Sequence, residues 1–321
     1  MMLKKQTYKT VDKVFFALGT INYIKIFDIE KEDAIEKAIE RVTEIDNRMS
    51  AFKTESDISK LSRNSGKGLR IVHQDTFQLI QKAIELSDIS DGVFDITIRP
   101  LAELWGINKK GSFIPSESEI QKALHLVDYH GIQLDPKLLS AALKNPGQAL
   151  DLGGIAKGFA ADEVKQILVE SGVQSALINL GGNVITIGSR PDGQPWQIGI
   201  QNPIAPTGQY LGVLSITNKT VVTSGSNERF FIKDGIRYHH ILDPRTGKPA
   251  QNSLLSVTAV CACSTDADAL TTALFILGPQ KSMPLLNKVK AEAIFVTDDL
   301  TVTVTNGLLR HFKNSNEYKR F

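Results

Sequence analysis

Residues 149–158, Ala-Leu-Asp-Leu-Gly-Gly-Ile-Ala-Lys-Gly, constrain this chain more tightly than any other stretch. A short apolar run ends in an acid, turns on two glycines, and opens a helix with a lysine in its first turn. Ile155, Phe159, Ala160, Val164, Ile167 and Leu168 keep helical spacing up to Gly172, a suitable stop. A strand, a glycine turn and a helix N-terminus in succession offer backbone N–H groups and a helix dipole to an anion. Glycine there permits positive φ and close approach of a ligand to the main chain. Phe159 stands where a Walker A loop requires lysine, and no Gly-x-Gly-x-x-Gly is present. Taken alone, the stretch reads most simply as a tight turn without a ligand.

The segments around it set the fold class. Phe15–Phe27 reads as one or two strands bent at Gly19, and Glu30 to Met49 as an amphipathic helix with Ile35, Ala38, Ile39, Val42, Ile45 and Met49 inward. A polar segment follows to Gly68. Asp75 to Ser90 is a second helix stopped by Asp91-Gly92, and Ser116 with Glu119 is a capping-box pair opening a third, to about Val127. Residues 129–148 are ambiguous, with a strand at Ile132–Leu134 and either type at Leu138–Leu143. Beyond Gly172 strands dominate: Ala176–Leu180, Val184–Ile187, Leu211–Thr217, and a hairpin around Asp234-Gly235. Then come a strand at Val257–Cys263, a helix at Asp266–Leu277 and a terminal hairpin around Asp298-Asp299. The pattern is a mixed α/β (α+β) protein with a strand-rich C-terminal half and no repeats. Its 321 residues suit one domain, or two closely joined subdomains with a cleft between them.

Composition narrows the partners. A formal charge of +2 and no Lys/Arg run argue against nucleic acid, and no apolar run reaches membrane-spanning length. The N-terminus is basic but lacks an apolar h-region or lipid-attachment cysteine, which favours a cytoplasmic protein unless an export segment has been removed. Cys261 and Cys263, two apart on the expected strand, share one sheet face as small apolar residues, with no further soft ligands nearby for zinc.

Three constellations carry possible chemistry. Asp268 and Thr272 lie one helical turn apart, so a carboxylate and a hydroxyl share a face as hard ligands for Mg²⁺. Thr265 and Asp268 have capping-box spacing, so Asp268 either caps its own helix or serves a metal. In Tyr238–Pro249, His239 and His240 point to opposite faces of a strand, and only one readily joins a common site with Leu242. Such a histidine is structural, or a general base near neutral pH if it reaches an acceptor hydroxyl. Val222–Asn227 carries loop hydroxyls suited to positioning a ligand, without a nucleophile elbow. Phe52, Phe94 and Trp105 read as core by default, although aromatic faces beside a polar loop can stack a flat ring.

Together these segments resemble the ApbE family of FAD:protein FMN transferases. The resemblance runs in order through Leu18-Gly19-Thr20, Arg48–Phe52, Asp91–Asp95, Asp151–Gly158, Asn179–Gly182, Thr223–Ser226, His240–Pro249 and Ala267–Thr272. Each motif is weak alone; eight in order are specific. The resemblance implies an ApbE-like fold that binds FAD with Mg²⁺, transfers the FMN half to a threonine or serine hydroxyl of a target protein, and releases AMP. It places Leu18, Phe52, Val93, Phe94, Asp95, Asp151, Lys157 and Leu242 against FAD. It places the Gly154 carbonyl, Asp268 and Thr272 at the metal, with Thr271 beside it, and His240 at acceptor activation; Asp268 is the second residue implied in catalysis. The expected partner is a flavin-acceptor protein with a Thr/Ser target motif, a redox subunit or a reductase. Two positions depart from the family pattern: Leu18 where methionine is usual, and Phe52 where tyrosine is usual, with loss of any hydroxyl contact there. The alternatives are an FAD pyrophosphatase, with water replacing the acceptor, and a flavin-binding protein without turnover.

Overall fold

Leu254–Cys261 is buried at every one of its eight positions, so its sheet must be covered on both faces. A computed structural model, describing residues 9–107, 113–314 and 319–320, shows how. Among the described residues this strand sits inside a nine-stranded sheet. The order is Val11–Ala17, Thr20–Ile26, Ala176–Leu180, Asn183–Ile187, Thr220–Gly225, Leu254–Cys261, Glu292–Thr297, Val302–Val304 and Lys319–Arg320. Neighbours are antiparallel except the last pair. Ile24, Ile26, Ile178, Val257 and Ala259 join the core under the helices. Val221, Val260 and Ile294 face the other way, onto a three-stranded sheet of Phe312–Asn314, Tyr210–Ile216 and Trp196–Gln201.

Seven helices are described: α1 Glu32–Met49, α2 Asp57–Arg63, α3 Gln74–Ile89, α4 Arg99–Trp105, α5 Glu117–Leu124, α6 Ala156–Glu170 and α7 Ser264–Val289, the last broken at Gly278 (φ 74°, ψ 171°). The stripe expected of α1 is buried at Ile35, Ala38, Val42, Ile45 and Met49, joined by Ala34, while Ile39 is only partly buried at its edge. Its outer side ties it to its neighbours: Arg41 and Arg48 both donate to the buried Asp75 of α3, and Arg41 also to Glu163 of α6. Burial alone would raise the Asp75 pKa, but the two guanidiniums outweigh it and hold the carboxyl below its ordinary value. The capping box of α5 is present in both directions, and α6 ends at Gly172 (φ 85°) in a Schellman turn, Val173 N–H bonding Leu168 C=O.

Several expectations are corrected. The polar stretch after Met49 contains α2, and the Pro100 segment contains α4. Each is seven residues long, too short for periodicity to reveal. The ambiguous region resolves into strands Ile132–Asp135 and Ser140–Leu143, paired with Arg70–Ile71. Residues 149–151 form no strand; Asp151 N–H instead bonds the Ile96 carbonyl. The strand of Leu254 ends at Cys261, and Cys263 caps α7, so the two thiols do not share a sheet face. Val11–Ala17 and Thr20–Ile26 form a hairpin, longer at its start than the expected Phe15–Phe27, turning at Leu18 (φ 55°) and Gly19 (φ 70°), the left-handed pair a two-residue turn requires. The Asp234-Gly235 hairpin is formed as expected.

Candidate active site

The N-termini of α6 and α7 meet, and each is satisfied by an acid from the other helix. Asp162 of α6 accepts Ser264 N–H at 2.9 Å, Thr265 N–H at 2.8 Å and the Thr265 hydroxyl at 2.7 Å. Asp268 of α7 accepts Gly158 N–H at 2.9 Å, in the first turn of α6. The capping alternative for Asp268 on its own helix is therefore overturned, because Asp162 already occupies those donors. A Cβ on Gly158 would lie 2.2 Å from the Ser264 carbonyl oxygen, so only glycine lets the helices come this close. Gly153 and Gly154 are absent from the positive-φ residues; their use is space, not left-handed backbone. A Cβ on Gly154 would stand 3.3 Å from the Phe94 ring and 3.4 Å from the Thr272 hydroxyl.

A cation sits at this junction. Lys157 Nζ donates to the Gly153 carbonyl at 2.9 Å and lies 3.3 Å from Asp268 Oδ1. Asp268 is buried, as is Thr271, whose hydroxyl donates to the Asp268 carbonyl and accepts from Ser224 Oγ, both at 2.8 Å. Among the described residues no three or more His, Cys, Asp or Glu side chains are grouped so as to hold a metal ion. What the junction offers instead is one carboxylate with a hydroxyl and main-chain carbonyls, all hard oxygens of the kind Mg²⁺ takes alongside water and phosphate. The residues present fit that ion.

In front of the junction opens a cavity of about 610 Å³. Its lining joins Gly153 and Gly154, Phe94 after α3, Arg99 at the start of α4, Ser224 at a sheet end, and His240 with Leu242. The size suits a cofactor-sized ligand. Leu242 is buried against Leu101, Trp105 and Ile120, while Trp105 donates its indole N–H to the Gly247 carbonyl at 2.8 Å. Trp105 is thus core, holding the turn after Asp243.

The two histidines separate as expected. His239 is buried, its Nε2 donating to the Ala250 carbonyl at 3.0 Å and its ring edge-on to Phe275. His240 borders the cavity, with Nδ1 3.3 Å from the Arg229 carbonyl. A carbonyl only accepts, so Nδ1 carries the proton and Nε2 keeps its lone pair. Burial, then the nearby Arg229 cation, pushes the His240 pKa down to about 3, with His239 and Lys157 adding to the effect. The ring is neutral at physiological pH.

Of the residues singled out in the sequence, Phe52, Val93, Phe94, Asp95 and Asp151 all border the cavity, as do Gly154, His240, Leu242 and Thr272. Asp95 does so with its carboxylate turned inward, accepting from Thr97 N–H, the Thr97 hydroxyl and Tyr129 N–H. Lys157, Asp268 and Thr271 lie behind the lining, at the helix junction. Leu18 is on the hairpin turn, outside the lining, partly buried against the main core. Sequence reasoning missed Arg99, Glu103 and Arg229, which also line the cavity. The signal for the first two was Pro100 in the first turn of a helix.

The family model for ApbE matches residues 18–295. A protein of Klebsiella pneumoniae (strain 342) named FAD:protein FMN transferase is 37% identical over 290 residues, covering 90% of each chain. A Treponema pallidum protein of the same name is 32% identical over 310 residues, covering 91% of this chain and 86% of its own. The crystal structure of the ApbE protein from Thermotoga maritima superposes with a TM-score of 0.87 at 30% identity, covering 95% of this chain and all (100%) of that one. The chain belongs to the ApbE family.

Proposed function

We propose that this cleft binds FAD and transfers its FMN half to a threonine or serine hydroxyl of an acceptor protein, releasing AMP, in an Mg²⁺-dependent reaction. The observation that carries the reading is the meeting of an aromatic-walled cavity with an oxygen-lined helix junction and a neutral histidine. Phe52 and Phe94 suit a flat ring, while Gly153–Gly154 bring the main chain close to a pyrophosphate. The Asp268 carboxylate, the Thr272 hydroxyl and the Gly154 carbonyl would hold the magnesium, which supplies charge neutralisation at the pyrophosphate when bound. Thr271 supports them, its hydroxyl bonded to the Asp268 carbonyl.

In the proposed step the acceptor hydroxyl oxygen bonds to the FMN phosphorus and the bond from that phosphorus to the bridging oxygen breaks. AMP leaves with the bridging oxygen, and the hydroxyl proton passes to Nε2 of His240. A base with a pKa of about 3 is weak; burial lowers it most, and the Arg229 and Lys157 charges add to that. An anionic pyrophosphate beside them offsets those charges and makes the ring more basic when the substrate is present. The test is incubation with FAD, Mg²⁺ and a polypeptide carrying an Asp-Gly-x-Ser/Thr target sequence. Covalent flavin fluorescence on the denatured polypeptide is expected. Free FMN and AMP with an unlabelled polypeptide would point to hydrolysis, and no AMP at all to binding only.

A further inference from the structure

Phe52 is 78% exposed, on a turn after α1 where its N–H is tied to Ser50 Oγ at 3.2 Å. An aromatic ring so exposed is free to swing unless something holds it. The Arg99 guanidinium lies over one face, 4.4 Å from the ring centroid, well within cation–π range. Arg99 is itself held: its Nε donates to Glu103 Oε1 at 2.7 Å, and the side chain is only 13% exposed. Its Nη1 is buried without a hydrogen-bond partner, 3.7 Å from Asp151 Oδ2. Phe52, Arg99 and Glu103 line both the main cavity and a neighbouring one of about 280 Å³, so they form the wall between the two.

We propose that Arg99 is a positioning residue for the flavin: it fixes the Phe52 ring from behind so that the open face becomes the stacking surface for the isoalloxazine. This rests on the reading that the cleft binds FAD. The guanidinium suits the role because it is planar, always charged, and can stack on a ring while its edge bonds carboxylates; lysine can supply the charge but not the plane. Glu103 and Asp151 flank it and set its plane, and Asp151 is fixed in turn by accepting Gly153 N–H at 2.8 Å. The ring platform and the glycine turn are thereby linked through one side chain. The ligand class is a flat fused ring, recognised independently of phosphate.

The test is fluorescence titration in EDTA with riboflavin, which has the ring and no phosphate, beside AMP and FAD. Arg99→Ala is expected to weaken riboflavin about five- to tenfold and to leave AMP unchanged. Arg99→Lys should recover only part of the loss. Phe52→Ala should weaken riboflavin at least as much, and the Arg99→Ala/Phe52→Ala double variant should lose no more than Phe52→Ala alone. Unchanged riboflavin affinity in Arg99→Ala, or additive losses in the double variant, would overturn the proposal. So would a loss of AMP binding, which marks a phosphate anchor or a general structural defect. If the wild-type protein binds FAD but not riboflavin, the ring platform is wrong and the FAD reading stands. If it binds neither, both fall.

Discussion

The two halves of the site are built in opposite ways. The helix junction is buried, reciprocally capped and so tightly packed that a single methyl group on Gly158 has no room. The ring wall is a solvent-exposed Phe52 held by one guanidinium, and His240 stands at the root of a two-stranded hairpin outside the main sheet. Groups that must meet fixed charges in a fixed geometry sit on helix ends locked into the core, where preorganisation is inexpensive. Groups proposed to meet a large ring and a second protein sit at the rim, where they remain reachable. The contrast predicts that substitutions at the junction damage stability and activity together, whereas those at the wall change binding and leave the fold alone.

Gly158→Ala should show the largest effect. The added carbon collides with a backbone oxygen that cannot swing aside, so α6 and α7 must separate. A loss of about 3 kcal/mol in denaturant unfolding is expected, at the upper end for overpacking. A loss under a few tenths would mean that the junction is compliant and the contrast false. Asp162→Ala comes next, because it strands two N–H groups of the first turn of α7. About 2 kcal/mol is expected, with Asp162→Asn recovering part of it; urea titration of the three proteins gives the comparison. A larger effect of Asp162→Ala than of Gly158→Ala would reverse the ranking of capping and packing.

The smallest effect is on pH. His239 and His240 both have pKa values lowered below the ordinary 6.5, chiefly by burial. Between that value and the folded one, the unfolded chain binds protons that the folded chain refuses. Their stabilising contribution is therefore complete above pH 6.5 and is lost as pH falls below it, down to about 3 for His240. Thermal unfolding should show a midpoint falling steadily below pH 6.5, with a shallower fall in His239→Gln. An equal slope in that variant would assign the acid sensitivity elsewhere.

The same contrast explains what the sequence could convey. Local rules exposed the α1 stripe, the Ser116–Glu119 capping box and the Asp234-Gly235 hairpin, because each is encoded within a few residues. The helices α2 and α4 stayed hidden, being too short to show a period. Asp268 remained undecided because its rival cap, Asp162, lies more than a hundred residues away, and reciprocal capping leaves no local signature. The family resemblance brought together residues that border one cavity, among them Phe52, Phe94, Gly154, His240 and Thr272. It did not supply Arg99, whose meaning depends on a ring 47 residues earlier in the chain.

The central claim is that this site moves FMN from FAD onto a protein rather than onto water. It is tested most directly by counting AMP released against flavin covalently attached to the acceptor in one reaction with Mg²⁺. Transfer predicts a ratio near one, with both products lost together in Asp268→Ala. AMP accumulating in excess over attached flavin, with FMN free in solution, would contradict it.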